Sequence, residues 1–127
     1  MAGILTDYAA LLHKKAALGI ATLTAPTSLQ AAVYTSSTGI KTNNPTGEAN
    51  YSGYAQAAIT FDADGVNSPI SFLGPPTQTI ITHLGLIDVT ASKILWAGAL
   101  TTPKTLSPGE PLFFNTGDIS ISFDTIA

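Results

Sequence analysis

The strongest constraint on the fold of this chain is a two-residue alternation of apolar side chains between Leu29 and Phe123, broken at intervals by turn residues. Successive side chains of a β-strand point to opposite faces of a sheet, so this period predicts strands with a buried face. About six or seven short strands at this spacing favour a single antiparallel β-sandwich or jelly roll. The alternating segments are 29–34, 54–61, 70–72, 80–86, 94–100, 112–114 and 119–123.

A short helix is predicted before the strands, over residues 5–18. Thr6 suits the N-cap and Gly19 suits the stop. Its apolar residues recur at three- and four-residue spacing, which is the helical period. They are Ile4, Tyr8, Leu11, Leu12 and Leu18. A helix this short is marginal alone, so its apolar face must pack on its own sheet or on a neighbouring subunit.

The composition limits the functions to consider. Only 10% of the residues are charged, against about 25% in average domains. The cations are scattered lysines without arginine, so we expect no nucleic-acid partner. No stretch approaches the roughly 18 apolar residues of a membrane span, and no signal peptide is visible. We therefore expect one soluble domain over residues 1–127, made in a cytosol, with the sandwich over about 27–125. The weakly charged surface suggests either packing against other chains or faces of exposed Thr and Ser.

One long polar loop, Thr35 to Ser52, interrupts the strand pattern. Loops longer than about 15 residues tend to carry contacts or to move. Tyr51 and Tyr54 flank this loop and are candidates for an exposed contact, although they could instead close one end of the sandwich. Together with the apolar helix face they give our candidate interface, which comprises Tyr8, Leu11, Leu12, Tyr51 and Tyr54.

No catalytic, metal-binding or cofactor-binding residue is predicted. His83 and Asp88 are five residues apart, so their side chains point to opposite faces of a strand. We expect His83 to be a structural histidine bonded between strands. His13 has no histidine or glutamate one turn away to complete a metal pair. The segment Asp62 to Gly65 begins like a calcium loop, but it lacks the distal glutamate and is more typical of a hairpin turn.

Trp96 lies within an apolar run, so we assign it to the core instead of a sugar-stacking platform. A carbohydrate-binding module nevertheless stays open as a second class of function, and a small hydrolase as a third.

Several motifs resemble a family of small tailed-phage virion proteins that includes tail-fibre, minor-tail and head-decoration proteins. The motifs are Tyr51-Ser52-Gly53-Tyr54-Ala55, Ile81-Thr82-His83-Leu84-Gly85-Leu86-Ile87-Asp88 and Ile94-Leu95-Trp96-Ala97-Gly98-Ala99-Leu100. The resemblance extends over nearly the whole chain and is most specific from Thr82 to Lys104. This chain departs from the family pattern at Gln56, where a basic residue is common, and at residues 90–93, where two glycines are common.

The resemblance implies a virion component without catalysis. From it we expect first a capsid decoration protein on the outer surface of the head, which binds the major capsid protein or other virion proteins. By analogy with such proteins we expect a homotrimer. The alternative is a tail-fibre or minor-tail protein that contacts the host surface.

Overall fold

The computed structural model describes residues 4–120. In chain order its elements are β1 (Ile4–Leu5), α1 (Asp7–Ala17), β2 (Leu29–Tyr34), β3 (Ala57–Ile59), β4 (Ile70–Phe72), β5 (Thr79–Asp88), β6 (Lys93–Leu106) and β7 (Leu112–Phe114). Within these residues the protein is mainly β, its strands pair antiparallel, and its one helix lies near the N-terminus, as predicted. Ile121, Phe123 and Asp124 lie outside the described residues, so the predicted last strand does too for the most part.

Five strands form the larger sheet, in the order β1-β6-β5-β2-β3. Strand β5 is central, because it lies between β6 and β2. Both edge strands are short, with two residues in β1 and three in β3. The predicted strand 54–61 is therefore too long. The part of β6 that extends beyond β1 contains Pro103 and Lys104, residues that discourage the addition of a further strand.

β4 and β7 form a second sheet of two strands. It shares the main hydrophobic core with one face of the larger sheet, which we call the front face. Trp96 is 2% exposed in this core, which confirms its assignment from the sequence. The two sheets make a sandwich-like arrangement, whereas the jelly-roll connectivity stays a prediction. The large core residues are Val33, Leu84, Leu86 and Trp96 from the larger sheet and Ile70, Phe72, Leu112 and Phe114 from the smaller.

An irregularity in the pairing of β5 with β6 changes which side chains of β5 face the core. Between the pairs Ile81–Lys104 and His83–Ala99, β5 has only Thr82, whereas β6 has residues 100–103. Ile81 consequently joins the front-face core, while Ile80 is 50% exposed. The strict alternation expected over 80–86 is therefore wrong before Thr82, because a bulge shifts the facing of every residue on one side of it.

A second irregularity places Leu95 as an extra residue in β6. Ile94 is buried on the back face of the larger sheet and Trp96 on the front face, although regular alternation would put both on one face. The side chain of Asn43 stabilises this bulge through both backbone groups of Ile94, at 2.6 Å to its N and 3.1 Å to its O. The Thr6 hydroxyl also donates to the Ile94 carbonyl, at 2.6 Å.

The loop predicted at residues 35–52 covers the back face of the larger sheet. Ile40 in this loop is 5% exposed and packs with Ala32, Tyr34 and Ile94. The loop is tied to the edge of β2, since the Ala49 N–H donates to the Val33 carbonyl at 2.9 Å. The loop therefore serves as a second cover for the sheet, opposite the two-stranded sheet.

Helix α1 begins and ends close to the predicted residues. Thr6 is its N-cap, and Gly19 follows the C-cap with a φ of +71°. Ile4, which we placed on the helix, lies in β1 instead and is 70% exposed. The helix packs against β6 and buries Ala9, so its own sheet covers part of its apolar face. Across the part of the chain that is described, no helix has the length and apolar character needed to cross a membrane.

Candidate functional site

A polar pocket of about 390 Å³ lies on the back face of the larger sheet. Strands β2, β5 and β6 contribute to it, together with the long loop, the segment before β3 and the β5–β6 turn. Its polar side chains are Gln30, Tyr34, Asn43, Glu48, Gln56 and Ser92, and its apolar ones are Pro45, Ile87, Val89 and Ile94. This volume falls in the range of small-molecule sites, which combine apolar walls with a few polar groups.

Tyr34 brings an unpaired hydroxyl to this pocket. Its side chain is fully buried and extends over Gly85, where an added Cβ would be 3.0 Å from the ring. Among residues 4–120 the hydroxyl has no hydrogen-bond partner. Burial raises the pKa of Tyr34, and the negative charge of Glu48 raises it further. A buried polar group without a partner is uncommon in folded proteins and calls for a ligand, a water molecule or a functional explanation.

Of the residues described, Glu48 is the one charged residue that lines the polar pocket. Its Oε2 atom accepts hydrogen bonds from the Tyr54 hydroxyl at 2.8 Å and from Gln56 Nε2 at 2.9 Å. Its Oε1 atom, like the side chains of Gln30 and Ser92, forms no hydrogen bond within the described range. Three polar groups that line the same pocket as Tyr34 are thus available to a bound molecule.

Tyr51 and Tyr54, predicted as contact residues, lie together at the end of the sandwich. Their ring centroids are 5.5 Å apart, and Tyr54 stacks on Phe72 of the core at 6.1 Å. The Tyr54 hydroxyl accepts from the Val33 N–H at 3.3 Å, and the Tyr51 hydroxyl donates to the Leu73 carbonyl at 2.6 Å. Both side chains are half-buried, so this geometry favours the alternative in which they close one end of the sandwich.

Burial is the main reason that the pKa of both tyrosines lies above its usual value. For Tyr54, the hydrogen bond to Glu48 and the charge of that carboxylate raise the pKa further. For Tyr51, burial is the cause.

The other candidate interface residues are on the helix, away from the tyrosine pair. Leu11 is 50% exposed, whereas Tyr8 and Leu12 are partly buried. Lys93 Nζ lies 5.9 Å from the centroid of the Tyr8 ring. Since α1 packs on β6 near one edge of the sheet and Tyr54 bonds to β2 near the other, the structure does not bring the predicted residues into one surface.

The two residues considered for a triad are engaged elsewhere. His83 Nδ1 is 2.8 Å from the hydroxyl of its neighbour Thr82, so the predicted bond between strands is replaced by a local one. Asp88 Oδ1 accepts from the Thr90 N–H at 3.0 Å in the β5–β6 turn. Neither contact joins His83 to Asp88.

The acidic segment from Asp62 to Gly65 forms the predicted turn. Asp62 Oδ1 accepts from the backbone N–H groups of Asp64 and Val66, each at 2.9 Å, and Gly65 has a φ of +77°. Within residues 4–120, no cluster of three His, Cys, Asp or Glu side chains is arranged to hold a metal ion.

Two further cavities are mainly apolar. One, of about 350 Å³, lies beside β1 and includes Ile40, Lys41 and His83. The other, of about 240 Å³, includes His13 and Trp96. Neither brings together enough polar groups to define a chemistry.

An exposed acid at the β6–β7 turn has a perturbed ionisation. The Ser107 N–H donates to Glu110 at 2.9 Å, and Lys104 Nζ is 3.4 Å from the same carboxylate. The backbone hydrogen bond is the larger cause that lowers the pKa of Glu110, and Lys104 adds to it.

The sequence did not reveal the polar pocket. Its residues come from β2, the long loop, the segment before β3, β5, the β5–β6 turn and β6, and no two of them form a motif. The available signals were polar Gln30 in an otherwise apolar strand and Glu48, the one acidic residue of the long loop.

Fold and surface together describe a small, mainly β protein with a weakly charged surface and a polar pocket. A model of the family described as Podophage GP4 fiber I protein gp80 matches residues 5–122. The match covers most of the chain, which therefore belongs to this family of phage virion structural proteins, and it confirms the resemblance stated from the motifs. No curated protein matches the chain.

Proposed function

We propose that this protein is a non-catalytic structural subunit of a phage tail fibre, where it acts by adhesion and assembly. The family match over residues 5–122 carries the proposal, because the family is described as a fiber protein. Head decoration, our first expectation from the sequence, is the second candidate. An uncovered apolar surface supports head decoration too, because it could bind a capsid lattice as well as another fibre subunit.

The surface of the described chain supports an assembly role. Every residue from 17 to 28 is exposed and none is charged. Within this segment Leu18 is 64% exposed, Ile20 67% and Leu23 41%. Exposed apolar side chains that adjoin one another are typical of interaction surfaces. The exposed Leu11 of α1 precedes this segment and belongs to our predicted interface.

Labelling of intact virions tests the location. An antibody against the purified protein, visualised by gold in electron micrographs, is expected at the tail. Gold distributed over the head would refute the fibre assignment and support decoration. A matched preparation of tail-less heads serves as the control, and it should carry no label.

We propose that the protein assembles as a homotrimer and binds other virion proteins. The mass of the purified protein, measured by light scattering, is expected to be three times the chain mass of 13.0 kDa. Leu11→Ser should shift the mass towards the monomer, because it removes an exposed apolar contact. Ala10→Ser, at an exposed position of the same helix, is the matched control. A monomeric wild-type protein would refute the proposal.

The absence of catalysis is likewise a proposal. It is supported by the separate engagement of His83 with Thr82 and of Asp88 with the β5–β6 turn. Turnover of a host polysaccharide that is lost in His83→Ala, with unchanged thermal stability, would refute it.

A further inference from the structure

We propose that the polar pocket is a binding site for a neutral sugar residue. Binding there depends on the chemistry of the pocket, and it does not depend on whether the protein sits on the tail or on the head. The site does not include Tyr51 and Tyr54, because their hydroxyl groups already form hydrogen bonds within the chain.

The hydrogen-bonding groups of the pocket match those of a sugar. Each sugar hydroxyl both donates and accepts, and the pocket offers both roles. Glu48 Oε1 accepts, the Tyr34 and Ser92 hydroxyls do both, and the amide of Gln30 donates and accepts through separate atoms. These are also the groups that have no partner within residues 4–120.

The charge of the pocket argues against an anion. Among residues 4–120, none that lines the pocket is a lysine, an arginine or a histidine, and the one charge is the carboxylate of Glu48. An acidic sugar would therefore be repelled, while neutral hydroxyl groups bind a carboxylate favourably. The apolar side chains of Ile87, Val89 and Ile94 line the same pocket, and the C–H face of a sugar ring can pack on them.

The buried Tyr34 hydroxyl points to a ligand more strongly than an exposed polar group would. Its side chain is fully buried, so bulk water does not compensate for its missing hydrogen bond. If a sugar hydroxyl provides this bond, removal of the Tyr34 oxygen weakens binding without removing any hydrogen bond that holds the described fold together.

The test is a titration of the isotope-labelled full chain, followed by NMR of its backbone amides. The probes are glucose, galactose, mannose and N-acetylglucosamine, with glucuronic acid as the anionic probe and ethanolamine as the cationic one. At least one neutral sugar should shift the amides of residues 30, 48 and 92 with a Kd of roughly 1 mM, as expected for so small a ligand. Glucuronic acid and ethanolamine should bind at least about tenfold more weakly.

Two variants and a control locate the site. Gln30→Ala and Tyr34→Phe should each weaken sugar binding about tenfold, the usual effect of one lost hydrogen bond in a buried site. Gln78→Ala, at an exposed glutamine outside the pocket, should leave the Kd unchanged. The unfolding midpoint of each variant shows whether it is folded. If Tyr34→Phe does not fold, the Kd of Gln30→Ala alone tests the location of the site.

Four results would each overturn the proposal. The first is the absence of saturable shifts in the pocket with any neutral sugar, which would leave the Tyr34 hydroxyl to a water molecule. The second is tighter binding of ethanolamine, which would make the pocket a cation site. The third is equal or tighter binding of glucuronic acid. The last is an unchanged Kd in Gln30→Ala, since the sugar would then bind elsewhere.

Discussion

Replacement of Asn67 by alanine is the most direct test of what holds one end of the two-stranded sheet together, because Asn67 precedes β4 and bonds to the segment after β7. Asn67 is 1% exposed, and its amide makes hydrogen bonds in both directions. Oδ1 accepts from the N–H groups of Gly117 at 3.0 Å and Ile119 at 3.1 Å. Nδ2 donates to the carbonyls of Asn115 at 3.1 Å and Ser68 at 2.8 Å. One side chain thus holds the segment after β7 against the turn before β4.

The expected loss of stability follows from these bonds. Three of them reach residues about fifty positions away, and each is worth about 1 kcal/mol net. The Ile119 N–H is buried, so its missing partner adds a desolvation cost of about 1 kcal/mol or more. Asn67→Ala should therefore lower the free energy of unfolding by about 4 kcal/mol, a large share of the 5–15 kcal/mol typical of a domain.

Urea denaturation is the appropriate assay, with the fluorescence of Trp96 as the signal. Trp96 is the only tryptophan and is buried in the core shared by both sheets. Asn50→Ala, at an exposed asparagine of the loop, should change the unfolding free energy by less than about 0.5 kcal/mol. A loss of unfolding free energy below about 1 kcal/mol for Asn67→Ala, with an unchanged slope of that free energy against urea concentration, would refute the stabilising role of Asn67.

Four further outcomes are expected. Tyr34→Phe should raise the free energy of unfolding by about 1 kcal/mol in the absence of ligand, because it removes a buried hydroxyl without a partner. Thr6→Ala should lower it by about 2 kcal/mol, since both the helix cap and the bond to the β6 bulge are lost. Glu110→Gln should reduce the loss of stability in acid. The pKa of Glu110 in the folded protein lies below the usual 4.5, so its carboxylate stabilises the fold above pH 4.5. This contribution disappears as the pH falls through the folded-state pKa. Tyr34 and Tyr54 have folded-state pKa values above the usual 10.0. Their contribution to stability is therefore complete below pH 10.0 and is lost as the pH rises through the folded-state values. In alkali, both phenols should consequently ionise together with unfolding.

The measurements and controls for these outcomes are simple. Urea unfolding of Thr22→Ala, at an exposed threonine, provides the comparison for Thr6→Ala. Acid unfolding curves of the wild type and Glu110→Gln that superimpose would contradict the ionic role of this carboxylate. Phenolate absorbance that rises fully while the circular dichroism is still native would contradict the buried state of Tyr34 and Tyr54.

Much of the local structure was predictable because neighbouring residues determine it. The cap at Thr6, the left-handed Gly19 and the Asp62–Gly65 turn depend on contacts a few residues apart. The two-residue period likewise located the main strands, since burial on one face of a sheet imposes that period. The family motifs identified a virion protein from the sequence, although they could not decide between head and tail.

The rest depended on contacts between residues far apart in the chain. The bulge at Leu95 reverses the facing of Ile94, and it is stabilised by Asn43, which is 51 residues away. The role of Tyr54 changed for the same reason: its hydroxyl meets Val33 and Glu48 only after the loop folds onto the sheet.

The sequence by itself thus determined most of the strands and the short helix, because these follow from local spacing. The class of protein followed from the resemblance of its motifs to a family of phage virion proteins. Only the tertiary structure decided which loop covers the back face and that Gln30, Glu48 and Ser92 line one pocket with Tyr34. A pocket is formed by side chains from separate elements, and the distances between them are fixed by packing, for which a linear pattern carries no signal.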